Sequence, residues 1–335
     1  MEAEAAPHAA QRSNGYCWAQ SRRCIKPAMK LDIAAGRSPS VVVDERMRDL
    51  VPRKELSNRL RRVSPALVEL ARVRHVRLDG FTSEYIAELA SIPRYRRLLA
   101  EARAGRDVCW LEGEQPEPLV TIRIATRDRP ELLMERSLAS ALRQTYERIE
   151  VLVVGDGCDD RTARAIEQLR DPRVRYVNLP VPGRYPVEPT RRWRVAGTKP
   201  MNTALDLSAG AWIAPCDDDD EFTDDHVETL LGAAKASRSE FVWSKSLYYS
   251  ADSPETGVEV GQPQFGRGAT THGALMYSLG LDFIRYSPTS DRMREGADWN
   301  LFRRMRLSGV RMGFADVVSY RYWEAGVVQY RSHTD

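Results

Sequence analysis

Five acids stand in a row at Asp217-Asp218-Asp219-Asp220-Glu221, directly after Ala214-Pro215-Cys216. Ionised together they repel one another, and a fold keeps such a run where a cation or solvent offsets the repulsion. Mg2+ and Mn2+ take carboxylate oxygens and hold positions open for phosphate oxygens, so a divalent cation is the economical reading of the run. The other reading is a solvated acidic turn that caps the helix expected over Asp225 to Ala236. A second acidic turn, Gly155-Asp156-Gly157, lies upstream, and His272 and Asp298 add two groups suited to proton or phosphate chemistry.

The elements around these residues alternate. Apolar runs predict strands at Leu119 to Ala125, Ile149 to Val154, Val174 to Leu179 and Ala211 to Ala214. Between them, helical patterns cover Pro130 to Arg143, Arg161 to Arg170 and Met201 to Leu207. Such alternation implies an α/β domain with a mixed, mostly parallel sheet, whose ligands sit outside the carboxyl ends of the strands. Both acidic turns fall at those ends, which favours one site over two. Upstream, Leu56, Leu60, Val63, Leu67 and Leu70, then Ile86, Leu89, Ile92 and Leu98, recur at helical spacing. Three parts follow: an irregular arm over 1–40, a helical subdomain or brace over 41–115 and the catalytic domain over 116–335. Pro116 and Pro118 mark the linker.

The chain has 335 residues and a formal charge of +3, which argues for neither nucleic acid nor an anionic membrane as partner. Its five cysteines, at 17, 24, 109, 158 and 216, lack the paired spacing of a zinc site or disulfide framework. No apolar run approaches the roughly 20 residues that span a bilayer, and the first residues lack a signal-peptide core. A soluble, cytoplasmic protein is expected, with the N-terminal helices available for homo-oligomer contacts.

Several motifs occur in a meaningful order: Val120-Thr121-Ile122-Arg123-Ile124-Ala125-Thr126-Arg127-Asp128-Arg129-Pro130, then Ser140-Ala141-Leu142-Arg143-Gln144-Thr145-Tyr146, then Glu150 to Asp160 with its Asp156 turn, then Asp217-Asp218-Asp219. With these motifs residues Leu119 to about Glu324 resemble the family 2 glycosyltransferases of the GT-A fold, and the spore-coat type members best. The resemblance implies a nucleoside-diphosphate sugar donor and Mn2+ or Mg2+ as cofactor. It implies that Thr126 and Arg127 border the nucleotide and that Asp156 accepts the nucleobase ring N–H, while Gly155 replaces the first acid of the family's usual pair. Arg127, where an aromatic residue often lies, could stack on a base or donate to guanine O6. It also implies Asp219 as direct metal ligand, with Asp217 as a second, and Asp217 and Asp218 sharing the ribose hydroxyls and metal-bound water.

Basic residues between the acidic turns, Arg194 and Lys199 foremost, suit a diphosphate. Ala269 to Met276 resembles the segment facing sugar and acceptor, so His272 is expected on phosphate, sugar or metal-bound water. Arg294-Glu295-Gly296-Ala297-Asp298-Trp299 makes Asp298 the counterpart of the inverting enzymes' catalytic base, with Glu295 in reserve. The expected activity is metal-dependent, inverting transfer from a UDP- or GDP-sugar to a small-molecule or glycan hydroxyl. The alternatives are a nucleotide-sugar pyranose/furanose mutase on the same fold and a non-catalytic nucleotide-sugar binding protein. Terminal His333 reads as part of a flexible tail.

Overall fold

The computed structural model describes residues 82–105, 117–250 and 252–324. The Leu56 to Leu70 pattern, most of the linker and His333 lie outside them. The chain enters as helix α1 (Thr82–Ala104) and then alternates strictly: β1 (Val120–Thr126), α2, β2 (Ile149–Gly155), α3 (Asp160–Leu169) and β3 (Val174–Asn178). Helix α2 is continuous over Pro130–Leu132, a π-helical stretch Leu133–Leu138 and Ala139–Leu142. Two helices, α4 (Pro189–Val195) and α5 (Thr198–Leu207), lead to β4 (Trp212–Asp217) and the short β5 (Glu221–Phe222). Then come α6 (His226–Ser237), β6 (Phe241–Ser250), β7 (Ser253–Val260), β8 (Leu275–Ser278), α7 (Ala297–Ser308) and β9 (Met312–Trp323).

Among the described residues the strands form a nine-stranded sheet in the order β3-β2-β1-β4-β8-β6-β9-β5, with β7 paired to β6. Strands β1 to β4, β6 and β9 run one way, and β5, β7 and β8 run the other. The sheet is therefore mixed and mostly parallel. Near-continuous apolar strands need cover on both faces, and they have it. On one face Val120, Ile122 and Ile124 pack with Leu133 and Leu138 of α2, Ile166 of α3 and Val227 and Leu230 of α6. On the other, Ile213, Phe241 and Tyr277 pack with Leu99 of α1, Met201 and Leu205 of α5 and Leu301, Phe302 and Met305 of α7.

Helix α1 thus shares its core with the body. Buried Glu240 at the start of β6 fixes it, accepting from Arg103 of α1 at 2.7 and 2.8 Å and from Arg311 at 2.9 Å. Glu88 on the same helix pairs with Arg303 of α7 at 2.6 Å. No helix among the described residues is long and apolar enough to cross a membrane.

Candidate active site

Parallel register brings the two acidic turns to one place. Thr126 at the end of β1 lies opposite Gly155 of β2, and Ala125 lies opposite Asp217 of β4. Thr126 also ties the turns chemically: its carbonyl accepts the Asp156 N–H at 2.9 Å and its hydroxyl donates to Asp218 at 2.7 Å. Strand β4 runs three residues further than the apolar run predicts, through Pro215 and Cys216 to Asp217. The first acid is therefore held by the sheet rather than by a loop.

The acidic run carries much less repulsion than its composition implies. Arg129 bridges Asp218 at 2.8 Å and Asp219 at 2.6 Å, and Arg136 donates to the Asp219 carbonyl at 2.8 Å. Tyr320 Oη and the Trp323 N–H each donate to Asp220 at 2.9 Å, while Arg321 pairs with Glu221 at 3.2 Å. Burial pushes the Asp218 carboxyl up to about 7, with Asp219 and Asp217 adding to that rise and Arg129 opposing it. Burial likewise raises Asp219 and carries Asp220 well above the ordinary range. Internal guanidinium groups therefore relieve the crowding, the raised carboxyl pKa values lessen it further, and repulsion alone does not require a cation. The donor chemistry nevertheless fits one. Asp217 and Asp219 are the aspartates of the run whose side chains reach solvent, 36% and 21% exposed, and Mg2+-like cations need only one or two carboxylates beside substrate phosphates. No set of three or more His, Cys, Asp or Glu side chains forms a complete metal site among the described residues.

Asp217 belongs to a second network that the sequence reading missed. Arg123 projects from β1 into the α7 side of the sheet, where it is fully buried. One of its terminal nitrogens donates to Tyr286 Oη at 2.6 Å and to His272 Nε2 at 2.9 Å. A guanidinium only donates, so His272 Nε2 accepts and the ring proton sits on Nδ1. That proton points at Asp217 Oδ1, 2.8 Å away. Burial raises the Asp217 carboxyl, but His272, Arg123 and Arg129 more than offset it and hold it below its ordinary value. Both ring nitrogens of His272 are engaged inside the protein, so no ring nitrogen is left for the substrate contact expected of it. The arrangement makes His272 a link between a buried cation and a carboxylate.

Asp156 is also occupied. Its carboxylate, 3% exposed as a residue, accepts from the Gly183 N–H at 2.7 Å and from Tyr185 Oη at 2.8 Å. The loop after β3 therefore closes over the position expected to read the base. Burial and the Asp156 bond push the Tyr185 phenol pKa up. The missing acid before Asp156 has a steric reason: a Cβ at Gly155 would lie 2.6 Å from Asn178 Oδ1 and 2.7 Å from Tyr176 Oη. Arg127 is exposed at the strand end, with Asp128 as its ionic neighbour at 3.9 Å.

The remaining predicted residues separate. Lys199 donates to the Val181 carbonyl at 2.6 Å, anchoring the same loop. Arg194 has Arg267, Glu188, Arg294 and Asp291 as electrostatic neighbours rather than Asp217 to Asp220. Asp298, in the first turn of α7, makes no hydrogen bond or ion pair among the described residues, and its carboxylate folds back over Gly296. One turn later on the same helix Phe302 stacks near the His272 ring, centroids 6.4 Å apart, so Asp298 and His272 share that side of α7. Glu295, the reserve base, is excluded: it is buried, pairs with Arg303 at 2.7 Å and accepts from Asn300 at 3.0 Å.

The sequence model described as "Glycosyl transferase family 2" matches residues 121–185 and 190–287, which carry both acidic turns and His272. Residues 121–287 belong to glycosyl transferase family 2. The α/β fold of this glycosyltransferase domain is accordingly of the GT-A class. Chondroitin synthase of Pasteurella multocida (strain Pm70) is 26% identical over 195 residues, 56% of this chain and 19% of that protein. Succinoglycan biosynthesis protein ExoO of Rhizobium meliloti (strain 1021) is 29% identical over 119 residues, 36% of this chain and 30% of that protein. The chain thus spans well under half of either relative's length. Among solved structures, S. aureus TarS 1–349 in complex with UDP-GlcNAc superposes with a TM-score of 0.48 at 18% identity, over 61% of this chain and 58% of that one.

Proposed function

We propose that this family 2 domain is a metal-dependent, inverting glycosyltransferase that moves a sugar from a UDP- or GDP-sugar to a hydroxyl acceptor. One observation supports the reading: Thr126 joins the Asp156 turn to Asp218 across adjacent parallel strands, which brings the carboxylate proposed to read the base close to the run proposed for the phosphates. When the Tyr185 loop opens, Asp156 accepts the ring N–H that both uracil and guanine present. Asp219 and Asp217 would hold the divalent cation, which supplies charge neutralisation for the diphosphate leaving group. Arg123, through His272, keeps the Asp217 carboxylate ionised and aimed. Asp298 takes the proton from the acceptor hydroxyl as its oxygen bonds to the anomeric carbon. The carbon–oxygen bond to the diphosphate breaks on the opposite face, and its electron pair leaves with the nucleotide.

The test is to incubate the protein with a panel of UDP- and GDP-sugars and Mn2+, without acceptor, and to analyse the products. Slow release of free sugar and nucleoside diphosphate is expected, with Asp298→Asn reducing it by about 10²–10⁴-fold at unchanged donor affinity. Ring-isomerised donor would identify a mutase instead, and binding without any product would leave a non-catalytic binder. An unaffected rate in Asp298→Asn would remove the base assignment.

A further inference from the structure

Four arginines meet on the rim that leads to Asp298. Arg191 and Arg194 stand three residues apart on α4 and so share a face. Arg191 pairs with buried Asp291 at 2.7 Å, which seats that face on the 3-10 turn Ser290–Met293. Arg294 follows this turn directly, with φ +56°, and is exposed. Arg267, on the loop that leads to His272, donates to the Arg294 carbonyl at 3.5 Å. The Arg191–Asp291 pair, the Arg267 contact with Arg294 and the charge interactions of Arg194 with Arg267 and Arg294 gather the four arginines just ahead of the first turn of α7.

Their counter-charges are few. Asp291 is taken by Arg191, and both oxygens of Glu188 accept backbone N–H groups, from Thr190 at 2.9 Å and Arg191 at 2.8 Å. Four guanidinium groups thus face two carboxylates already in use. Among the described residues Arg194, half-buried, makes no hydrogen bond or ion pair; burial lowers its pKa, with Arg267 and Arg294 adding to the drop and the charges of Glu188 and Asp291 opposing it. Like charges held together without a partner cost free energy that a bound anion would recover. Guanidinium forks suit phosphate and carboxylate oxygens in particular.

We infer that Arg194, Arg267 and Arg294 form an anion subsite for the acceptor, which carries a phosphate ester or a carboxylate near the hydroxyl that Asp298 deprotonates. The donor's diphosphate belongs with Asp217 and Asp219 at the end of β4, whereas this rim is built on α4, the 3-10 turn and the Arg267 loop. The assignment to the acceptor rests on the transferase reading above. Beside the rim, Trp193 is 58% exposed and offers a flat surface for a sugar ring.

The experiment uses the full chain in two arms. In the first, inorganic phosphate and glucuronate are titrated separately without metal at low ionic strength, and the arginine Nε–Hε resonances are followed. In the second, UDP and GDP are titrated with Mn2+ by calorimetry. Both arms are run on wild type, on Arg267→Ala/Arg294→Ala and on the charge-retaining Arg267→Lys/Arg294→Lys. At least one anion should saturate in wild type and weaken by about tenfold or more in the Ala pair, with the Lys pair between them. UDP and GDP affinities should stay within about twofold, the level expected of a separate site. Preference for phosphate marks a phosphorylated acceptor, and preference for glucuronate an acidic sugar. Absence of saturable binding of either anion in wild type, or equal binding in the Ala pair, overturns the subsite. Equal losses for anion and nucleotide would reassign the cluster to the donor. Saturable anion binding beside no affinity for UDP or GDP would instead refute the transferase reading while leaving an anion site.

Discussion

Replacing Tyr185 with Phe distinguishes two ways in which Asp156 can serve a nucleotide. As the chain stands, both Asp156 oxygens are held by the loop, through Gly183 N–H at 2.7 Å and Tyr185 Oη at 2.8 Å, and the residue is 3% exposed. A nucleobase N–H reaches it only if the loop yields, so nucleotide and Tyr185 compete. The substitution removes the hydroxyl and keeps the ring, including its place under the Arg192 guanidinium, 5.8 Å from the centroid. A hydrogen bond to an ionised acceptor contributes about 1.5–3 kcal/mol. Loss of the lower figure shifts the closed-to-open equilibrium by about tenfold. Where the closed state dominates, the apparent dissociation constant falls by that factor, because affinity scales with the competent fraction.

The assay is calorimetry of UDP and GDP with Mn2+ on wild type, Tyr185→Phe and Asp156→Ala. Tyr185→Phe should bind the preferred nucleotide about tenfold more tightly. Asp156→Ala should weaken binding by about 1.5–3 kcal/mol. If Tyr185→Phe binds less tightly than wild type, the phenol is a ligand of the nucleotide rather than its competitor. Equal affinity in all three proteins would refute the base-reading role of Asp156.

Arg123→Met should lower Mn2+–nucleotide affinity by about tenfold and also lower thermal stability, since removing one member of a buried charged network leaves the others uncompensated; Arg123→Lys should restore affinity, and unaltered affinity in Arg123→Met would dismiss the positioning role. Buried His226 is held neutral, its pKa lowered by burial from 6.5 to about 3. The unfolded chain takes a proton there that the folded one refuses, so stability present above pH 6.5 is lost as pH falls towards 3. Between pH 6.5 and about 4.5 wild type should lose about 2–3 kcal/mol more than His226→Asn in urea titrations, and parallel pH profiles would contradict the assignment.

How much of this was legible in the sequence depends on the range of the interaction. The alternation up to Asp217 is local, and each expected strand and helix there appears within a few residues of its pattern. Strand β4 reaches Asp217 because parallel pairing with β1 carries it past Pro215, which the apolar run alone does not reveal. Strands β6 to β8 were not read at all. Their pairings join Phe241 to both Tyr277 and Met312, and such non-local partners leave no short-range signal. The π-helical stretch Leu133–Leu138 is likewise invisible, since its residues are ordinary helix formers.

The site divides along the same line. Asp156 and Asp217 to Asp219 announce themselves by type and turn context, yet what each carboxylate holds was hidden. Arg123 sits in a run of strand formers, where a charged residue reads as a solvent-facing position in an alternating strand. Only the cover of α7 on that face shows that the charge is buried, and only its reach to His272 gives it a task. That task bears on the acidic run itself. A carboxylate here without a cation near it would have its pKa raised by burial, as that of Asp220 is, and would be a poorer cation ligand. With the guanidinium behind His272, Asp217 stays ionised before any ligand arrives. The buried arginine therefore holds ready the charge that the cation and diphosphate require, and Arg129 stabilises the neighbouring carboxylates until they are needed.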